Sequence, residues 1–341
     1  MKTSKSTLTV ARMALKAAQH ALAEYSHSKS PRKFTQPQLL ACLIVKELRC
    51  LDYRGIHVLL SEWSDLRHIL GLKKIPHFTT LCAAGKRLLR KASTEALLCS
   101  ILQQCRKVGL LKAKSKQAAI DSTGMETRHV SQYYTKRCKR HQGHYKRRFP
   151  KLTAICDTAN HLLLGMVIDR GPKLDYAEDE ATVRNALSQQ EFEILLADAG
   201  YESERFHKLC REQLDIKSII PTTQRGRSRS DGKSKAVTGY YRKQMQNNFP
   251  KNLYGQRWQI ETVFSMLKRN LGSALRARKY QSQNREIRLR VLCHNLMVLR
   301  RITYVLYRAL LYYFLFFSIA ELLSRILRRV GENISMCRYL I

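Results

Sequence analysis

The sequence predicts an α/β fold in which a mixed sheet follows a small all-helical N-terminal domain. Apolar residues recur with helical spacing from about residue 35 to residue 90, and after about residue 112 they form the short runs that are typical of strands. Strands that first form a hairpin and then alternate with helices indicate a mixed sheet. The expected divisions are a helical domain over 1–110, an α/β domain over 111–300 with a short basic insertion at 222–253, and an apolar helical tail over 301–341.

The N-terminal part carries start and stop signals for several helices. A weakly amphipathic helix is predicted over Thr9–Tyr25. Thr35 and Asp52 are candidate N-caps for the next two helices. A fourth helix, Ser64–Leu70, is expected to end before a glycine, and a fifth begins near Thr79. These signals predict short loops and a helical bundle, which in most proteins serves packing and in some docks on DNA.

The α/β part contains five apolar segments with the length of strands. They are Ala118–Thr123, Leu152–Asp157, Leu162–Ile168, Phe192–Asp198 and Ile216–Ile220. Helices are predicted over Glu178–Gln189 and Ser203–Gln213. Two of these strands deliver an acid at the end of an apolar run, namely Asp121 and Asp198.

The charge balance points to a polyanionic partner. The chain has 62 Lys and Arg against 26 Asp and Glu, a formal charge of +36 and a pI near 10.1. Enzymes of small metabolites rarely need such a field, whereas each cation placed on a phosphate releases counterions. The 341-residue length argues against a small ribosomal-type protein. No apolar run reaches 18 residues without a charge, since Arg308 interrupts the longest, so we expect no membrane span.

Two segments are dense in cations. Residues 136–151 hold eight Lys and Arg, among them Lys146, Arg147 and Arg148, which we take as candidate phosphate contacts. Residues 222–243 mix glycine, serine and cations and are predicted to form a flexible basic loop.

The cysteines indicate a reducing compartment. Ten are scattered with no Cys-x-x-Cys pair, and no signal peptide is recognisable at the N-terminus, so we expect a cytoplasmic protein. Cys138, His141, His144 and Cys156 are residue types that bind zinc. The spacing of the two histidines is unusual, and the surrounding cations oppose a metal, so zinc is the less favoured interpretation.

The segment from Tyr254 to Lys268 carries the most informative pattern. As a continuous α-helix it places Tyr254, Arg257, Glu261 and Lys268 within an arc of about 60°. Apolar residues of the same segment, beginning with Ile260, lie on a neighbouring arc that can face a core. A carboxylate between two cations suits a metal site that handles phosphate. A solvated helix face with an Arg257–Glu261 pair is the simpler alternative.

Three acids therefore stand out as candidate metal ligands. Asp121 and Asp198 follow apolar strands, and Glu261 lies on a later helix. Acids at the ends of neighbouring strands can meet at one edge of a sheet. Their mutual repulsion is relieved by Mg²⁺, a hard cation that prefers oxygen ligands. Two such ions can assist the breaking of a phosphodiester bond.

At these positions the chain resembles the DDE transposases of bacterial insertion sequences, whose catalytic core has an RNase H-like fold. The matching residues are Ile-Asp121-Ser-Thr, Ala-Asp198-Ala-Gly-Tyr and Tyr254-x2-Arg257-x3-Glu261-x6-Lys268. The last spacing is that of the family's Tyr-Arg-Glu-Lys signature. Segments beginning at Gln36, Asp52, Pro76 and Val291 also resemble the family, so the resemblance covers roughly residues 33–300.

The resemblance implies an activity and its participants. Such an enzyme binds the inverted repeats of its element, cleaves DNA and joins the 3′-hydroxyl ends to target DNA. Asp121, Asp198 and Glu261 correspond to the ligands of Mg²⁺ or Mn²⁺, and two ions are expected. Tyr254, Arg257 and Lys268 correspond to residues that hold DNA phosphates. The implied partners are element ends, target DNA and further copies of the chain, without a small-molecule substrate, in a cytoplasmic, nucleoid-associated protein.

Two departures and two alternatives accompany this interpretation. Some relatives carry a large β-rich insertion where this chain has only the short segment at 222–253, and the tail after about residue 302 does not resemble the family. A DNA-binding protein with an inactive or repurposed core is one alternative. An RNase H-like nuclease acting on RNA or on hybrids is the other, because a basic surface cannot by itself select DNA.

Overall fold

The sheet that organises the molecule has five strands in the order β4-β3-β1-β5-β6. The computed structural model describes residues 6–127, 137, 149–171, 178–223 and 237–301. The strands of this sheet are β1 (Lys114–Gly124), β3 (Phe149–Asp157), β4 (Leu163–Gly171), β5 (Glu191–Ala197) and β6 (Lys217–Ile219). A second, two-stranded sheet pairs β2 (Glu126–Thr127) with β7 (Ala274–Leu275).

The large sheet is mixed, as predicted. Strands β1, β3 and β4 are antiparallel neighbours, and β1, β5 and β6 are parallel. Five residues, 158–162, join β3 to β4, and the Asp157 carboxylate accepts hydrogen bonds from the backbone N–H groups of Ala159 and Asn160. This hairpin followed by parallel strands is the arrangement of an RNase H-like core, so the predicted fold class is confirmed.

Within the described residues, six helices precede the sheet. They are α1 (Thr7–Ala21), α2 (Gln36–Leu48), α3 (Tyr53–Glu62), α4 (Ser64–Ile69), α5 (Phe78–Leu88) and α6 (Lys91–Lys107). Both predicted caps are confirmed, since the Thr35 hydroxyl accepts from the Gln38 N–H and the Asp52 carboxylate from the Gly55 N–H. Gly71 follows α4 with a φ of 62°, a conformation that glycine adopts without strain. Helix α6 was not predicted, because its many polar residues blur the apolar period.

The remaining helices flank or follow the strands. They are α7 (Asp179–Leu187), α8 (Glu204–Lys208), α9 (Tyr240–Asn247), α10 (Lys251–Tyr254), α11 (Gln259–Leu271) and α12 (280–301). The helix predicted over Ser203–Gln213 is divided, because a π-helical turn at Leu209–Gln213 follows α8. The flexible loop predicted over 222–243 is partly wrong, since residues 240–243 begin α9.

Alternation along the strands gives the sheet two apolar faces. On one face Ala119, Leu196 and Ile219 pack with the apolar side of α11. On the other face Ala118 and Ile120 join one continuous core with the N-terminal helices and α7. The prediction that the apolar stripe of α11 faces a core is confirmed, since Ile260, Val263, Leu267 and Leu271 are all buried. The sheet thus lies between two helical layers.

By its contacts the chain forms two units, Met1–Leu299 and Arg300–Ile341. The core that the N-terminal helices share with the sheet lies within the first unit. The predicted boundary between a helical domain and an α/β domain at residue 110, within that unit, stays a prediction. The predicted tail, 301–341, lies outside the described residues except for residue 301. Within the part of the chain that the structure describes, no helix has both the length and the apolar character needed to cross a membrane.

A buried charge network ties α12 to α2. Arg290 is fully buried, and its Nε lies 2.9 Å from Oε1 of Glu47 on α2. Its Nη2 lies 2.7 Å from Oε1 of Glu286, and its other N–H groups donate to the carbonyl oxygens of Gly272 and Ala274. The guanidinium therefore neutralises two carboxylates that burial would otherwise destabilise.

Replacing Arg290 by Met should destabilise the protein by roughly 3–5 kcal/mol, because Glu286 would lose its buried counterion and Glu47 would keep only Lys46. The expected fall in Tm is on the order of 10 °C. The matched control is Arg269→Met, since Arg269 is exposed on α11. Adding Glu47→Met to the Arg290 variant should recover part of the loss. A thermal scan in which the Arg290 and Arg269 variants melt alike contradicts this account.

Candidate active site

Asp121 and Asp198 lie side by side on the sheet. In the parallel pairing of β1 with β5, Ile120 is opposite Ala197, so the next residues, Asp121 and Asp198, occupy neighbouring positions on adjacent strands. The prediction that Asp121 ends its strand is wrong. Asp121 lies inside β1, which continues to Gly124 in antiparallel pairing with β3. Only the pairing of β1 with β5 ends at Ile120. The two acids therefore lie at an open edge of the sheet.

Strand alternation also fixes the side on which these acids lie. Ala119 and Leu196 pack against α11, so Asp121 and Asp198, each two residues further on, lie on the same face as that helix. The carboxylates accept hydrogen bonds from the N–H of the following residue, Ser122 and Ala199 respectively, each at 2.7 Å. These bonds orient one oxygen of each carboxylate.

The segment that carries Glu261 is helical but not one continuous α-helix. Tyr254 ends α10, residues 255–258 form a 3-10 turn, and α11 begins at Gln259. Gly255, a poor helix former, is the first residue of the turn. A 3-10 turn advances about 120° per residue, which brings Arg257 in line with Tyr254 more closely than the predicted arc did. The assumed helix was therefore wrong in its first turn, whereas the shared face was right.

Arg257 joins the helix to the sheet. Its Nη2 lies 2.5 Å from Oε1 of Glu261, and its Nη1 lies 3.8 Å from Oδ2 of Asp121. The side chains of Arg257 and Asp121 are 19% and 21% exposed, whereas that of Glu261 is 56% exposed. The simpler pairing of Arg257 with Glu261 is thus present, but the guanidinium also faces a carboxylate of the sheet.

Several charged groups of the site affect the pKa of Arg257. Partial burial opposes ionisation, yet the hydrogen bond and charge of Glu261, with smaller effects from Tyr254 and Asp198, raise the pKa above its usual value. Burial also raises the pKa of the Tyr254 phenol. The charge of Arg257 lowers this pKa, and the charges of Asp198, Asp121 and Glu261 raise it further. The three acids therefore act electrostatically on the same Arg–Tyr pair.

Lys268 makes a second connection between α11 and β1. Its Nζ lies 2.7 Å from Oγ1 of Thr123, which is two residues beyond Asp121 on the same face of the strand. All members of the predicted Tyr-Arg-Glu-Lys pattern are thereby brought to the edge that holds Asp121. Among the predicted loop contacts, Lys146, Arg147 and Arg148 lie outside the described residues, as do Cys138, His141 and His144.

The donor set suits a hard divalent cation, with one rearrangement. All three acids offer carboxylate oxygens, the ligands that Mg²⁺ and Mn²⁺ prefer. Within the described ranges, however, no three His, Cys, Asp or Glu side chains are close enough together to hold an ion. Arg257 occupies the position between Asp121 and Glu261. Glu261 is more than half exposed, so its side chain is able to turn toward Asp121 when the guanidinium moves away.

Glu202 is a residue near this edge that the sequence analysis missed. It lies four positions after Asp198, is buried, and forms a bidentate ion pair with Arg242 of α9. The Thr223 hydroxyl also donates to it, at 3.4 Å. Glu202 therefore binds Thr223 and Arg242, which precede and follow residues 224–236 in the sequence. No local signal in the sequence predicts a contact between residues 40 positions apart.

One comparison with known proteins identifies a family. The family described as the transposase DDE domain matches residues 112–296. No curated protein matches the sequence. A solved structure, the piggyBac transposase synaptic complex with hairpin DNA, is similar with a TM-score of 0.42 and 8% identity over 87% of this chain and 72% of that one. Since the family match spans more than half of the chain and contains Asp121, Asp198 and Glu261, the chain belongs to the transposase DDE domain family.

Proposed function

We propose that this protein is a metal-dependent DNA transposase that cleaves phosphodiester bonds at the ends of its insertion sequence and joins the 3′-hydroxyl ends to target DNA. The observation that carries the proposal is the meeting of Asp121 and Asp198 at neighbouring strand positions, with Arg257 linking Asp121 to Glu261. The family belongs to the class of nucleic-acid-cleaving enzymes.

In this proposal Asp121, Asp198 and Glu261 hold two Mg²⁺ or Mn²⁺ ions. When bound, the ions supply a deprotonated nucleophile and stabilise the leaving oxygen. The chain itself orients the participants. Ser122 and Ala199 fix one oxygen of each aspartate through their N–H groups, which leaves the second oxygen for ligation.

Arg257 and Lys268 are proposed to hold the phosphates next to the cleaved bond. The planar guanidinium of Arg257 can form two parallel hydrogen bonds to one phosphate, whereas Lys268 acts as a point charge. Arg257 then exchanges one partner for another, because it releases Glu261 when it binds a phosphate. The Tyr254 phenol is protonated near neutral pH, and we propose that it donates a hydrogen bond to the same strand.

The remaining parts of the chain are assigned by charge and position. Residues 1–110 are proposed to bind DNA or to form the contacts of a dimer or larger assembly on DNA, and residues 111–300 to carry the chemistry. Lys146, Arg147 and Arg148 are proposed to bind phosphates. The described cysteines are all free thiols, which supports action in the reducing cytoplasm, on nucleoid DNA.

The test is a cleavage assay with linear DNA that carries the sequences flanking the gene, with and without Mg²⁺. We expect nicking at the element ends only with the metal, and joined products when target DNA is added. Binding without cleavage in Mg²⁺ and in Mn²⁺ supports the repurposed DNA-binding protein instead. Cleavage of an RNA–DNA hybrid but not of duplex DNA supports the RNase H-like nuclease.

A further inference from the structure

Cations from two distant parts of the chain converge on a surface that the proposed catalytic residues do not occupy. Two adjoining cavities of about 400 and 200 Å³ lie between α5 and the start of α12, and they share Lys86 and Arg285. Their lining defines what we call the α5–α12 basic face, which consists of Lys86, Arg90, Arg278, Lys279, Arg285 and Arg288.

The acids beside this face are already engaged. Glu47 accepts from Arg290 and Lys46, and Glu286 accepts from Arg290 and from the N–H groups of Arg276 and Ala277. The third acid that lines the larger cavity, Asp52, caps α3. Among the described residues, no carboxylate lies within 4.0 Å of any cation of the basic face. The six charges are therefore in excess.

Local contacts hold these charges near one another. The Nη1 of Arg288 donates to the carbonyl oxygen of Leu89 at 3.0 Å, and the Nη2 of Arg285 donates to the Ser282 hydroxyl at 2.9 Å. Burial lowers the pKa of Arg288, Glu95 raises it, and the charge of Arg285 lowers it further. Like charges held close together cost free energy that a bound polyanion would recover.

The small sheet limits how far this face can lie from the carboxylate edge. Thr127 of β2 is six residues beyond Asp121 and pairs with Leu275 of β7. Six residues at about 3.3 Å each and one inter-strand spacing of about 4.8 Å place Leu275 at most about 25 Å from Asp121. Arg278, the first cation of the face after Leu275, follows three residues later and adds at most about 10 Å. Since duplex DNA rises about 3.4 Å per base pair, the resulting limit of about 35 Å corresponds to about ten base pairs.

We propose that the α5–α12 basic face binds the phosphate backbone of duplex DNA, within about ten base pairs of the phosphate that is cleaved. The inference rests on the proposed function for the position of the cleaved bond, but the binding itself does not depend on catalysis. Lys and Arg on phosphates contribute affinity that is independent of sequence. The face therefore strengthens binding to any duplex long enough to reach it.

The test compares two double variants on a duplex of unrelated sequence. Lys86→Ala with Lys279→Ala removes two exposed charges of the face. Lys208→Ala with Lys217→Ala removes two exposed charges elsewhere and is the matched control. Each lost phosphate contact should reduce the slope of log affinity against log salt by about 0.9, and affinity on the order of eightfold near 0.1 M salt. For the face variant we expect a slope smaller by about 2 and about 50-fold weaker binding.

Circular dichroism must first show that both variants melt like the original protein. Equal binding by the face variant and the control overturns the proposal for this face. If the original protein cleaves element ends in Mg²⁺ under those conditions, the proposed function survives that result. An original protein that neither binds duplex DNA nor cleaves it overturns both. If the face variant binds more weakly, a hydroxyl-radical footprint of the original protein should show protection of the DNA backbone within about ten base pairs of the nick, and the variant should lose that protection.

Discussion

Asp121→Asn, Asp198→Asn and Glu261→Gln should each lower the rate of metal-dependent DNA cleavage by at least about a thousandfold, or roughly 4 kcal/mol of activation free energy. An amide keeps the size of the side chain and its carbonyl oxygen but loses the charge that binds a divalent cation. The local fold should survive, because Asn accepts the backbone hydrogen bonds that Asp121 and Asp198 now accept. DNA affinity should change little, since the basic surface supplies it.

Two conservative changes in the same sheet region serve as controls. Asp215→Asn alters an exposed residue with a φ of 52°, a conformation that Asn tolerates. Glu193→Gln alters an exposed side chain of β5, the strand that leads to Asp198. Both controls should cleave at the rate of the original protein. Rates are measured by single-turnover nicking with enzyme in excess. Any one of the three site variants that cleaves normally removes that residue from the proposed ligand set.

Arg257→Lys should lower cleavage by about 30- to 1,000-fold, or ~2–4 kcal/mol, although the charge is kept. The ammonium of Lys cannot form the paired hydrogen bonds of a guanidinium, and it cannot contact Asp121 and Glu261 together as Arg257 does. Arg269→Lys is the matched control, because Arg269 is exposed on the same helix. Loss of a charge at an exposed position would cost only tenths of a kcal/mol.

A charge swap separates a catalytic role from a structural one. If Arg257 and Glu261 only steady the helix, then Arg257→Glu combined with Glu261→Arg preserves the pair, and the protein should fold and cleave. If Glu261 is a metal ligand, the double variant should fold and be inactive, because a ligand is lost and a cation takes its position. Circular dichroism reports folding, and the nicking assay reports activity. A folded, active swap would exclude the catalytic role of this helix.

The sequence predicted much of the fold because its strongest signals are local. Thr35 and Asp52 cap helices through hydrogen bonds to residues three positions away, and apolar alternation is repeated over each strand. The family motif supplied the order of the site residues, since motif spacing is a property of the chain alone. Local signals failed where the pattern was weak, as in α6, and where a glycine changed the helix type, as at Gly255.

The sequence by itself determined which side chains are available: three acids, a Tyr-Arg-Glu-Lys pattern and a formal charge of +36. Only the tertiary structure decided which of them meet. Parallel pairing of β1 with β5 sets Asp121 beside Asp198, and Arg257 reaches Asp121 because the apolar side of α11 packs on that face of the sheet. Contacts such as Glu202 with Arg242, or Lys86 near Arg285, join distant positions. Strand register and side-chain packing fix those contacts, and neither is encoded in any local period of the sequence.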